Sequence, residues 1–149
     1  MKISHPIFAA FFSMALLLGL TSTAFSEEAK VQEDKRISLG FTAAEKAEFL
    51  TEMRQMLTSI QGIMMGIGTD DRKLIIKSAK YSGNRMARAT PKSIKKKTPA
   101  DFKSIGGPTH MMFEELVIRA EDDDMDMLAE FTGELMKNCL ACHALFKVD

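Results

Sequence analysis

The 149-residue chain has no tryptophan, one tyrosine, two cysteines and four prolines. Two cysteines exclude the disulfide framework that holds many small secreted domains together. Charge of one sign is not in excess either: Lys and Arg number 20, Asp and Glu 20. That balance excludes the basic footprint of a nucleic-acid-binding protein. Apolar runs are scarce, and beyond the one from Pro6 to Leu20 no stretch is long enough to span a bilayer. No segment alternates with the period of a strand, so sheet content is expected to be near zero. Internal repeats and low-complexity tracts are also missing.

What is present begins with an N-terminal pattern. Met1-Lys2, the apolar stretch and Ala24-Phe25-Ser26 before Glu27-Glu28 have the three parts of a secretory signal peptide, assigned here to residues 1–26. Its apolar core is about fourteen residues, short of the roughly 20 that a membrane helix needs, so cleavage is expected and no membrane span after it. Residues 27–41 are charged and aperiodic and read as a flexible leader. Residues 42–149 are then one domain with one core.

Within that domain the apolar residues recur at helical spacing. Thr42-Ala43-Ala44-Glu45 has the form of a capping box. Phe49, Leu50, Met53, Leu57, Ile60 and Met64 follow every three or four residues, until Gly66 and Gly68 stop the helix. Thr69-Asp70-Asp71 caps a second helix, with Ile75, Ala79 and Met86 buried and Ala89-Thr90-Pro91 closing it. Residues 91–108 hold three prolines, two glycines and the cluster Lys92, Lys95, Lys96, Lys97, and read as one long solvated connection with a helical turn from Pro99. A third helix runs from Thr109 to Ala120 with Met112, Phe113, Leu116 and Val117 inward. The acidic corner Glu121-Asp122-Asp123-Asp124 starts a fourth, whose stripe is Leu128, Phe131, Leu135, Cys139, Cys142 and Phe146. The fold class is all-α, an antiparallel up-down-up-down four-helix bundle.

The chemistry lies in Cys139-Leu140-Ala141-Cys142-His143, the C-x-x-C-H pattern of covalent haem c attachment. Positions three and four apart share one side of a helix, so two thioether bonds fix a porphyrin edge while the imidazole reaches the iron from the same face. Zinc needs four ligands, and the only other histidine past the signal peptide is the distant His110, read as a surface residue at the start of the third helix. A thiol oxidoreductase places its C-x-x-C at a helix N-terminus, where the dipole lowers a thiol pKa; here the pair ends a helix. No Ser-His-Asp set or carboxylate pair can be assembled, so the chain is not expected to be an enzyme.

The long first helix, the C-x-x-C-H within seven residues of the C-terminus, Phe146-Lys147 after it, and Asp124-Met125-Asp126-Met127-Leu128 opening the last helix resemble the class II c-type cytochromes, the cytochrome c′ superfamily, from Thr42 to Lys147. The missing tryptophan is a departure. So is the connection after the second helix, which is more similar to that of the soluble b-type bundle cytochrome, with its Ala-Thr-Pro. The resemblance implies one covalent haem c between the first and last helices, Lys147 near a propionate, a periplasmic location, redox partner proteins, and pairing of two copies through the first helix.

The residue facing the iron decides the function. With the start of the first helix beside the end of the last, it comes from the early turns: Met53, about 16 Å along the axis from Thr42, with Met56 one turn on. Counting back from Ala89-Thr90-Pro91, Met53 also falls where the similar b-type cytochrome has its methionine ligand. Ordinary packing is the rival role for any of these methionines. The sequence therefore favours a one-electron carrier with iron ligated by His143 and Met53. Its alternatives are a five-coordinate protein binding nitric oxide or carbon monoxide, with Leu50 or Leu57 shielding the distal face, and a haem-free thiol oxidoreductase.

Overall fold

Thr42 and Glu45 satisfy each other's backbone at the start of the longest helix. The Glu45 N–H donates to Thr42 Oγ1 at 3.3 Å and the Thr42 N–H donates to Glu45 Oε2 at 2.9 Å. This capping box opens α1, Ala43–Gly68, in a computed structural model that describes residues 33–149. The segment read as a signal peptide, residues 1–26, and the first six residues of the leader, 27–32, lie outside the described residues. Lys97 Nζ donates to the same Glu45 carboxylate at 2.6 Å and to the Gly40 carbonyl at 3.2 Å, tying the cap to a later segment. The Lys97 hydrogen bond, helped by the Thr42 amide, holds the Glu45 carboxyl down at about 2.

The chain is predominantly helical. After α1 come α2 (Arg72–Ser82), α3 (Asn84–Ala89), α4 (Lys92–Lys97), α5 (Ala100–Asp122) and α6 (Met125–Leu145). Asp70 takes a left-handed conformation, φ 54°, in the short link between α1 and α2, and Asp71 then caps α2 by accepting from the Leu74 N–H at 3.0 Å. α1 and α2 approach closely because Gly62 and Gly66 face α2: a Cβ at Gly62 would strike the Ser78 side chain, and one at Gly66 would lie 2.6 Å from Ile75 Cγ1. On the same seam the buried hydroxyls of Ser59 and Ser82 bond at 2.7 Å. Asp124 caps α6 through the Met127 N–H at 2.9 Å.

Two expectations change. The second helix breaks at Gly83, where the Glu114 carboxylate accepts from the Asn84 N–H at 2.8 Å and leaves no room for a Cβ. The long connection over 91–108 is mostly helix instead. Pro91 and Pro99 stand at the N-cap positions of α4 and α5, where a missing N–H costs nothing. α5 also continues through Gly106, Gly107 and Pro108. Thr109 Oγ1 donates to the Ile105 carbonyl at 2.8 Å just beyond the proline.

α1 packs on α2 and α6, and α5 packs on the same two helices, closing a ring. Its core is Ile63, Ile75, Phe113, Leu116, Leu128 and Leu135, all fully buried. A separate cluster forms from Leu39, Phe49, Ile94 and Phe146. The Phe49 and Phe102 rings meet at a tilt with centroids 5.9 Å apart, and Phe102 and Phe146 meet edge to face at 5.5 Å, joining α1, α5 and the segment after α6. Residues read as the end of a flexible leader take part here. β1 (Ile37–Ser38) pairs in parallel with β2 (Phe146–Lys147), and Leu39 is buried. This small pair, not foreseen in the sequence, sets the chain entering α1 beside the chain leaving α6.

Candidate functional site

Between the two core clusters the packing opens into a cavity of about 690 Å³, within the roughly 300–1,000 Å³ of cofactor sites. Phe49, Met53 and Met56 of α1, Ile94 of α4, Phe102 and Phe113 of α5 supply much of its apolar wall. α6 adds Cys139, Cys142 and His143.

The two cysteines belong to different halves of the core. Cys139 packs on the ring core together with Met56, and Cys142 packs on the lower cluster together with Met53. Both are free thiols, half-buried, and burial pushes both thiol pKa values up. A raised thiol stays protonated at neutral pH, the opposite of what a thiolate nucleophile requires. His143 stands in the last turn of α6, where its carbonyl accepts from Arg36 Nη1 at 3.3 Å. Among the described residues no three His, Cys, Asp or Glu side chains gather as a group able to hold a bare metal ion.

That donor set fits a haem c. Thioether attachment asks two thiols to meet two separate points of a porphyrin edge, so they need not converge on one centre as zinc ligands must. An apolar cavity lined by Cys139, Cys142 and His143 of one helix and Met53 of another could hold such a group, the thiols by attachment and His143 and Met53 as donors to its iron.

Of the residues singled out in the sequence, Met53, Cys139, Cys142 and His143 all line the cavity, as do Met56, Leu50 and Leu57. Lys147 does not. Its ammonium lies 3.8 Å from Asp34 Oδ2 and 3.4 Å from Asp149 Oδ1, on β2. His110, expected on the surface, is partly buried in the cavity wall, its Nδ1 2.7 Å from the Ser82 carbonyl. Because a carbonyl only accepts, Nδ1 carries the proton.

Several lining residues gave no sign in the sequence. Glu52 is half-buried, with the Thr90 hydroxyl donating to it at 3.4 Å, and burial raises its pKa. Arg54, Lys95 and Lys103 bring positive charge to the lining. The signal for the α5 wall was the spacing Phe102, Ile105, Thr109, Phe113, which the Gly-Gly-Pro within it obscured. No protein-family model, curated protein or solved structure matches this chain.

Proposed function

We propose that the chain is an exported monohaem c-type cytochrome of the class II group, a one-electron carrier between redox partner proteins in the periplasm, and not an enzyme. The observation that carries this reading is the meeting of Met53, Cys139, Cys142 and His143 on one apolar cavity. Haem c, when attached, supplies the iron that takes and gives the electron. Cys139 and Cys142 would hold it covalently, and His143 and Met53 would be the donors to its iron. A methionine thioether favours the reduced state and so a higher potential. Phe49 and Phe102, in the wall that also holds Met53, would limit water there, and ligands carried on two packed helices would keep reorganisation small.

In this reading α1, α2, α5 and α6 are the four members of an antiparallel up-down-up-down bundle. The closed ring of packing and the β1–β2 pair beside the start of α1 support it. Pairing of two copies through α1 is supported by Leu57, Met64 and Met65, which are exposed there. Nucleic acid is not a partner. Among the described residues no helix is long and apolar enough to cross a membrane.

The second reading is a five-coordinate haem that binds nitric oxide or carbon monoxide. It is favoured by Leu50 and Leu57, which line the cavity beside Met53. Adding carbon monoxide to the reduced protein separates the two: the carrier resists rapid binding, because Met53 must first leave, and fast stoichiometric binding would select the gas-binding reading.

A further inference from the structure

The cavity lining carries three permanent cations, Arg54 of α1, Lys95 of α4 and Lys103 of α5, against one carboxylate, Glu52. Arg54 and Lys103 make no side-chain ion pair among the described residues. Lys95 gives one hydrogen bond, to the Arg88 carbonyl at 3.0 Å, and an ammonium has two more to give. With the histidines neutral, the net charge of +2 belongs to an otherwise apolar wall. A ligand that fits is flat and apolar over most of its surface and carries two carboxylates at its edge.

We infer that Arg54, Lys95 and Lys103 receive the two propionates of the porphyrin, in place of Lys147. This rests on the haem reading given above. Lys147 lies outside the lining and is already flanked by Asp34 and Asp149. The three rim cations come from three separate helices. Carboxylates held there draw α4 and the start of α5 onto α1, and the ligand closes the wall that binds it. Charge-assisted hydrogen bonds at the mouth of an apolar cavity are stronger than the same bonds in open water.

The test uses the full chain prepared without covalent haem, titrated with mesohaem and with its dimethyl ester. Mesohaem lacks the vinyl groups that thiols attack, so the titration reads non-covalent binding. The unsubstituted chain is expected to bind the diacid about tenfold or more tightly than the diester. That preference shrinks as salt is added. The triple variant Arg54→Gln, Lys95→Gln, Lys103→Gln loses it, the single variants lose part of it, and Lys147→Gln keeps it. Circular dichroism of each variant establishes that the helices are intact, and the single variants decide if the triple one does not fold. Equal affinity of the unsubstituted chain for acid and ester would overturn the cation assignment while leaving the haem reading standing. Loss of the preference in Lys147→Gln would overturn it as well. Failure to bind either porphyrin would remove the haem reading and the assignment together.

Discussion

Met53 is half-buried, packs against the cluster of Leu39, Phe49, Ile94 and Phe146, and lines the cavity. If its sulfur binds iron, Met53→Ala abolishes the weak red-edge absorption band of the ferric protein. It also lowers the midpoint potential by a tenth or more of the roughly 0.8 V span that axial ligands control. An unchanged spectrum and potential would reduce Met53 to packing. The thiols give a second prediction at this scale. Burial holds Cys139 and Cys142 as neutral thiols, their folded pKa values above the ordinary one of about 8.5. The folded chain therefore binds more protons than the unfolded chain in that range. Stability of the haem-free protein is complete below pH 8.5 and falls as pH rises through the ordinary thiol value toward the raised one. Urea midpoints measured from pH 7 to 10 read this directly. With thioether bonds in place of thiols the slope disappears, and a slope that survives in Cys139→Ser, Cys142→Ser belongs to other groups.

The elements that were legible in the sequence are those whose signals agree with one another. For α1 a capping box, a regular apolar stripe and terminal glycines all pointed to the same helix, and its ends fall at Ala43 and Gly68. For α6 the acidic corner and the stripe through Cys139 and Cys142 did likewise, and Cys139, Cys142 and His143 of α6 share the cavity lining with Met53 of α1. α5 was half-missed because Gly106, Gly107 and Pro108 are local helix breakers; packing of Phe102 and Ile105 on the lower cluster outweighs their cost. Lys95 and Lys103 were missed because their elements lay in what read as a solvated connection, and Arg54 because it stands outside the apolar stripe of α1. Lys147 stands off the cavity lining, on a parallel strand pair that two residues on each side cannot announce.

Three substitutions test the elements. Thr42→Ala removes the acceptor for the Glu45 amide and is expected to cost about 1 kcal/mol in chemical denaturation. Because Glu45 is held at about 2, well below its unfolded value, its contribution is present at neutral pH and is lost as pH falls from about 4.3 toward 2. Lys97→Gln removes the largest cause of that depression and should flatten that part of the acid unfolding curve, and an unaltered curve contradicts the pairing. Gly62→Ala is the third. On an open helix face the change would stabilise by about 1 kcal/mol, but here the new methyl meets Ser78, so a loss of about 1–3 kcal/mol is expected. Ser78→Gly in the same chain restores part of it, as a double-mutant cycle measures. A stabilised Gly62→Ala protein would show that α1 and α2 stand further apart.

The molecule as a whole has a core in two parts, with a cavity of about 690 Å³ between them. This cleft is open to solvent on one side and apolar over much of its wall, the character of a ligand site. In the proposed reading a porphyrin bonded to α6 and ligated from α1 would fill it and join the ring core to the second cluster. The direct measurement is the mass of the mature chain made in a host able to attach haem. The expected mass exceeds that of the polypeptide by one haem, and Cys139→Ser, Cys142→Ser shows no covalent gain. A mature chain weighing only its amino acids would contradict the assignment.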